Sequence, residues 1–70
     1  MAYFKIEAFY DDLEGVTRSF VFYGSMEEFY QVCQGMEEDL GLEVFKYRSW
    51  KVNLQEVEDH KRKQLDLFQA

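Results

Sequence analysis

The sequence predicts a small α+β domain of ββαβ topology, followed by a short C-terminal helix or tail. Three patterns support this prediction: two strand-like segments joined by a turn, one capped amphipathic helix, and a third strand-like segment. Of the 70 residues, 47% are hydrophobic and 19% are aromatic, and dense aromatic side chains allow a short chain to bury a sufficient core. We therefore predict one folded domain over residues 1–52 and a distinct C-terminal segment over residues 53–70.

The first two strands are predicted to form a hairpin. The segments Tyr3–Tyr10 and Val16–Tyr23 are alternating, aromatic or β-branched, as strands require. The segment Asp11–Gly15 between them is a tight connection, in which Gly15 is available for a positive φ angle. In the first strand, the residues expected on one face are Phe4, Ile6, Ala8 and Tyr10.

A capped helix is predicted to follow the hairpin. Ser25 and Glu28 have the spacing of a capping box, in which each side chain accepts from the backbone N–H of the other residue. Gly41 stands where a left-handed C-terminal cap is expected. Between these ends, apolar residues recur at steps of three and four, as an amphipathic helix requires: Met26, Phe29, Cys33, Met36 and Leu40.

The third strand is predicted from Leu42 to about Val52. The intervening helix makes a right-handed crossover, so this strand runs parallel to the second and pairs beside the first. The result is a three-stranded antiparallel sheet of order 2-1-3 with one helix on one face. Several residues are not expected to fit beneath that helix and form a second apolar surface: Tyr3, Phe9, Val21, Tyr23, Phe45 and Tyr47. We expect the C-terminal segment, a second copy in a homodimer, or a partner to cover it.

The C-terminal segment differs from the body in charge. Residues 1–59 hold five basic and thirteen acidic groups, whereas residues 60–70 hold Lys61, Arg62 and Lys63 against Asp66 alone. Asn53 resembles another helix start, and residues 53–63 are predicted to form two to three helical turns. Few apolar residues follow in this stretch, so the helix is expected to be weakly held.

The segment ends in the pentapeptide Gln64-Leu65-Asp66-Leu67-Phe68, followed by two further residues. It resembles the consensus by which bacterial proteins bind the replication sliding clamp (the DNA polymerase III β subunit), Gln-Leu-(Ser or Asp)-Leu-Phe, and every position matches. At average residue usage, a chance match in so short a chain is about one in ten thousand. The resemblance covers only this pentapeptide and implies nothing about the folded body.

The resemblance implies a role for each residue of the pentapeptide. Gln64 would form hydrogen bonds at the rim of the clamp's peptide-binding pocket, and Leu65 would pack in a shallow part of the groove. Asp66 would lie toward solvent, while Leu67 and Phe68 would fill the deep apolar subsite. The preceding basic residues Lys61, Arg62 and Lys63 would assist if the clamp's outer surface is acidic. A position at a chain end is typical of exposed linear peptides.

An alternative interpretation of the same segment is structural. Leu54, Val57, Leu65 and Phe68 also recur at a spacing compatible with one face of a helix. In that case the tail is an amphipathic helix that covers the open sheet face, and the match to the clamp-binding consensus is a coincidence.

Composition argues against several classes of function. A net charge of −6 opposes broad binding to phosphates, so we expect no direct nucleic-acid binding. One cysteine and one histidine cannot build a disulfide or a zinc site, and no cofactor motif is present. Cys33 is expected to be a buried apolar residue and His60 a solvated one, so we expect no enzyme. With no membrane-length apolar run, the expected setting is the cytoplasm of a bacterial or phage-infected cell.

The acidic body supports a second hypothesis of a different class. A small acidic domain can present carboxylates in place of nucleic-acid phosphates and occupy the basic groove of a nucleic-acid-binding enzyme. In size and charge this resembles phage-type inhibitors of the anti-CRISPR and anti-restriction classes. The carboxylates expected to form the acidic surface are Asp11, Asp12, Glu14, Glu27 and Glu38.

Overall fold

The structure, a computed structural model, describes the backbone of residues 2–69 and the side chains of residues 2–63. Three strands form one antiparallel sheet of order β2-β1-β3, and two helices accompany it, which confirms the predicted fold class and strand order. The elements in chain order are β1 (Tyr3–Asp11), β2 (Thr17–Gly24), α1 (Met26–Gly35) with a π-helical extension (Met36–Leu40), β3 (Val44–Val52) and α2 (Leu54–Gln69).

The hairpin turn is held by one carboxylate. Asp12 Oδ1 accepts hydrogen bonds from the backbone N–H groups of Glu14 and Val16, both at 2.9 Å, while Asp12 Oδ2 accepts from Arg18 Nε at 2.8 Å. Gly15 has a φ angle of 83°, the left-handed conformation predicted for it. The turn therefore satisfies its own backbone donors, which fixes the register of β1 against β2.

Helix α1 begins as predicted. The Ser25 hydroxyl accepts from the Glu28 backbone N–H at 3.2 Å, and a Glu28 carboxylate oxygen accepts from the Ser25 backbone N–H at 3.2 Å. The last five residues before Gly41 form a wider π-helical turn, which Gly41 closes at a φ angle of 69°. A wider turn advances by a smaller angle per residue, so Leu40 leaves the apolar stripe and is 58% exposed.

A β-bulge changes the predicted facing of β3. This strand starts at Val44 instead of Leu42, and Val44 pairs with Tyr10 while Lys46 pairs with the preceding residue of β1. The extra residue, Phe45, inverts the alternation, so Tyr47 lies on the same face as Val44. The prediction that Tyr47 belongs to the second apolar surface is therefore wrong, since its ring packs at 5.2 Å from that of Phe29 beneath α1.

The core lies between α1 and one face of the sheet. Ile6 and Ala8 of β1 are fully buried, and Phe29 of α1 is 1% exposed against them. Ile6 pairs with Phe22 of β2, whose ring lies 6.1 Å from that of Phe29. Partly buried side chains extend this cluster: Phe4, Phe20, Phe22, Met26, Cys33 and Val44. The face of β1 predicted to be apolar is the core face.

Helix α2 packs against β1 and β2. Asn53 caps it, because its side-chain oxygen accepts from the Glu56 backbone N–H at 2.9 Å. Val57 is only 2% exposed, and the His60 ring stacks on that of Tyr23. Tyr23 faces away from α1, so the first half of α2 covers one end of the second sheet face. The expectation that His60 is solvated is wrong, because this stack half-buries it.

Candidate functional site

The five residues that resemble a clamp-binding motif lie in the last part of α2. The backbone of Gln64, Leu65, Asp66, Leu67 and Phe68 is helical, since α2 continues to Gln69. Their side chains lie outside the described residues. Their roles in docking therefore stay predictions, as does the packing of Leu65 and Phe68 in the alternative interpretation.

The fold determines where α2 leaves the sheet. Helix α2 follows β3 directly, contacts β1, and reaches Tyr23 of β2 through His60. Two strand spacings are about 10 Å, and the six steps from Leu54 to His60 rise about 9 Å along a helix. Because β2 is an edge strand, α2 has crossed the full width of the sheet by His60.

The basic residues before the motif lie at this edge. Lys61, Arg62 and Lys63 are all exposed, as a role in attracting a partner requires. Hydrogen bonds from the Ser25 backbone and hydroxyl lower the pKa of Glu28 at the start of α1, and the charge of Lys61 lowers it further by a smaller amount. Lys63 borders a shallow groove of about 250 Å³ beside the stacked rings, lined also by Tyr23, Glu56, Asp59 and His60.

The carboxylates of the acidic alternative do not form one surface. Asp11, Asp12 and Glu14 lie at the hairpin turn, whereas Glu27 lies in the first turn of α1, at the opposite end of β2. The eight residues of β2 separate these two ends by about 23 Å. Glu38 belongs to the π-helical extension, where it accepts a hydrogen bond from Gln34 at 3.1 Å.

Two of these carboxylates also have structural partners. The hydrogen bond from Arg18 and those from the turn backbone hold the pKa of Asp12 below its usual range. Asp11 accepts a hydrogen bond from the Thr17 hydroxyl at 2.8 Å. The negative charge of Asp12 is thus compensated by Arg18 and by the backbone N–H groups of the turn. Less of that charge is available to attract a binding partner.

Cys33 and His60 do not form a reactive pair. Cys33 packs on the α1 side of the sheet, while His60 stacks on Tyr23 on the other side. Burial raises the pKa of the Cys33 thiol, which disfavours its nucleophilic thiolate form. Within residues 2–63, no group of three His, Cys, Asp or Glu side chains is placed to hold a metal ion. Neither described helix is long and apolar enough to span a membrane.

Sequence reasoning missed a groove beside the hairpin turn. Its volume is about 380 Å³, and it lies between the turn and the end of the π-helical extension. The available signal was Leu13, an apolar residue in an acidic turn, which is 83% exposed. The residues that line the groove are Tyr10, Asp12, Leu13, Glu14, Arg18, Leu40 and Leu42.

A second feature missed by sequence reasoning is the grouping of basic residues on one sheet face. Strand alternation places Lys5, Lys46 and Arg48 on the face opposite α1, together with Phe9 and Trp50. This grouping could have been predicted by combining the alternation of side chains along β1 with the antiparallel register. A charge count over the whole chain cannot show it.

Comparison of the chain with protein-family models, with curated proteins and with solved structures gives no match.

Proposed function

We propose that this protein is a non-catalytic binding protein that docks on the bacterial sliding clamp through Gln64–Phe68. Docking would make it an inhibitor or modulator of replication, or an adaptor recruited to the clamp. The single observation that carries the proposal is the match of all five residues to the clamp-binding consensus.

The anchoring of α2 supports this proposal. Val57 and His60 attach the helix to the sheet, and the motif begins four residues after His60, about 6 Å further along the helix axis. The exposed residues Lys61–Lys63 connect the two. A fold that holds the segment just before the motif can present the motif to a partner without giving up its own core.

The energetics of docking favour a contact of moderate affinity. Burial of Leu65, Leu67 and Phe68 in a partner's pocket contributes on the order of 5–9 kcal/mol before costs. A linear peptide must first leave the helical conformation, and helix termini open at low free energy. Ordering of the segment and loss of rigid-body freedom offset several kcal/mol, so we expect a dissociation constant in the micromolar range.

The decisive experiment is a titration of purified bacterial sliding clamp with the full chain. We expect saturable binding that is lost in the Leu67→Ala/Phe68→Ala variant and in a chain ending at Lys63. Asp66→Ser is the matched control, because the consensus accepts either residue and binding should be retained. Binding that persists in the double variant, or that is absent from the full chain, refutes the proposal.

The packed-helix alternative is tested by a second measurement on the same truncated chain. If Leu65 and Phe68 pack on the sheet, the chain ending at Lys63 loses stability in urea denaturation. If they serve docking, that chain unfolds at the same urea concentration as the full chain. A synthetic peptide of residues 61–70 that competes for the clamp shows that the segment suffices for binding.

A further inference from the structure

The sheet face opposite α1 has a charge unlike that of the whole chain. By register, three cations lie on it (Lys5, Lys46 and Arg48), against the two carboxylates Glu7 and Asp11. These five strand side chains sum to +1 in a chain that carries −6, and α2 adds Glu56, Asp59 and Lys63 beside Tyr23 at one end of the face. Asp11 lies at the hairpin end of the face, bonded to Thr17, so the central part is clearly basic.

Planar groups form a row across this basic face. The Arg48 guanidinium carbon lies 5.7 Å from the ring centre of Phe9 and 5.9 Å from that of Trp50, so it bridges the two rings. Lys46 Nζ lies 5.8 Å from the Phe9 ring and Lys5 Nζ lies 5.9 Å from the Trp50 ring. Each ring therefore has two cations within 6 Å of its centre.

An ion pair fixes the central member of this row. Glu7 Oε1 accepts a hydrogen bond from Arg48 Nη2, and these residues face each other on β1 and β3. Because the pair is exposed, it contributes little to the stability of the fold. Its main effect is to orient the guanidinium group. The Arg48 guanidinium is thereby held within 6 Å of both aromatic ring centres.

The face stays accessible although α2 covers one end of it. Trp50 is 48% exposed, although it lies in the same cross-strand row as Tyr23, on the opposite edge strand, and Val21 is 43% exposed in the next row. The exposed ring of Trp50 and the half-buried ring of Phe9 both lie beside cations. They match the two components of single-strand binding sites, which are stacking platforms and positive charge along the backbone path.

We propose that this face binds single-stranded nucleic acid, with bases stacked on Trp50 and Phe9 and phosphates beside Lys5, Lys46 and Arg48. The proposal revises the expectation drawn from net charge, because binding depends on the local field of the face. It does not depend on clamp docking, which is assigned to other residues, Gln64–Phe68 of α2.

Other occupants fit the face less well. A second copy of the chain would bring the same three cations against each other, which disfavours a homodimer through this face. An acidic peptide satisfies the cations but has no flat groups to stack on the rings. A nucleic acid strand satisfies both, since every base has a π face and every link a negative charge.

The proposal predicts weak, salt-dependent binding. Non-specific dissociation constants lie between about 10⁻⁴ and 10⁻⁶ M, and we expect a value on the order of 10⁻⁵ M at 50 mM salt for an acidic chain. Each phosphate contact on a single strand contributes about −0.7 to the slope of log K against log salt, so three cations give a slope of about −2.

Trp50 is the single tryptophan of the chain, so its fluorescence reports on the proposed site directly. The full chain is titrated with a 12-residue oligothymidylate and, separately, with an oligoglutamate peptide of equal length. We expect saturable quenching by the oligonucleotide and none by the peptide. Equal or stronger quenching by the peptide overturns the proposal in favour of an acidic protein partner, and no quenching by either overturns it outright.

Two variants on the same strand distinguish binding at this face from a general effect of the protein's net charge. Lys46→Gln removes a cation from the face, whereas Lys51→Gln removes one that pairs with Phe4 on the α1 side. At 50 mM salt, the first should weaken binding about fivefold to tenfold and the second should leave it unchanged. Equal weakening by both refutes a site on this face.

Stacking is tested with a labelled oligonucleotide, whose fluorescence anisotropy does not depend on the tryptophan. Trp50→Phe should retain binding and Trp50→Leu should weaken it several-fold, while circular dichroism checks that both variants fold. Sedimentation at the same protein concentration identifies a dimer that buries Trp50, an outcome that also overturns the proposal. The Leu67→Ala/Phe68→Ala variant should bind the oligonucleotide normally, which distinguishes this site from the clamp-binding segment.

Discussion

The imidazole ring of His60 stacks on the phenol ring of Tyr23, with ring centres 4.3 Å apart and an angle of 21° between the planes. This contact joins α2 to the edge strand β2. It turns the first half of the C-terminal segment into part of the domain, although the sequence shows little apolar content there.

Removal of the stack should loosen α2. We expect His60→Ala to lower the free energy of unfolding by about 0.5–1.5 kcal/mol, the range for stacked aromatic pairs. Urea denaturation followed by circular dichroism measures this change. The control is Arg62→Ala, an exposed position on the same helix, which should be nearly neutral. Equal effects of the two variants would show that the stack contributes nothing.

Because Val57 is buried, we expect the folded domain to extend into α2. Val57→Ala should lower the free energy of unfolding by about 1–3 kcal/mol, because the side chain is 2% exposed. Leu54→Ala is the matched control, since Leu54 is 48% exposed on the same helix and should cost less. A chain ending at Val52 should lose cooperative unfolding. A stable domain of residues 1–52 alone would contradict this expectation.

The hairpin turn should give a measurable dependence of stability on pH. The pKa of Asp12 is lowered in the folded state, chiefly by the hydrogen bond from Arg18, so its ionised form stabilises the fold above the ordinary carboxyl pKa of 3.8. That contribution is lost as the pH falls through the lowered value. Denaturation at pH 7 should therefore separate Asp12→Asn from the wild type, and the difference should shrink near pH 2.

The cause of this pH dependence can be tested by replacing Arg18, the residue that donates a hydrogen bond to Asp12. Arg18→Gln removes the guanidinium that contributes most to the lowered pKa of Asp12. Its unfolding free energy should change less between pH 7 and pH 2 than that of the wild type. An identical pH profile would mean that the turn backbone alone sets the effect.

The acidic alternative is tested at carboxylates that do not hold the turn. Glu14→Gln, Glu27→Gln and Glu38→Gln combined should preserve the fold, because all three side chains are exposed. Under the proposed function, the triple variant should keep its clamp affinity within about twofold in the same titration. Loss of clamp binding in this variant would contradict docking through the C-terminal motif. Loss of an inhibitory activity toward a nucleic-acid-binding enzyme, with clamp binding intact, would favour the acidic alternative.

Local sequence signals predicted much of the fold. The Ser25–Glu28 capping box, the turn around Gly15 and the strand order all follow from spacing and handedness rules that act over a few residues. The facing of Tyr47 and the exposure of Leu40 were not predictable in the same way. The facing of Tyr47 depends on a β-bulge, and the exposure of Leu40 depends on a wider helical turn. The position of each irregularity is decided by packing across the sheet.

Of the candidate sites, one could be predicted from the sequence and the others required the structure. The clamp-binding motif is a linear pattern, so the sequence alone suggests it. The basic face depends on Lys5, Arg48 and Trp50 meeting across paired strands, and only the register of β1 with β3 brings them together. The stacking of His60 required knowledge of where α2 crosses the sheet.

The bulge at Phe45 has a consequence for behaviour at high concentration. Strand β3 is an edge of the sheet, and an edge of nine regular residues is a template on which another chain can add a strand and begin aggregation. The bulge interrupts the regular spacing of the free backbone groups, and Lys46 and Lys51 place charge along the same strand. The irregularity that turns Tyr47 toward α1 thus also makes this edge a poorer template for strand addition.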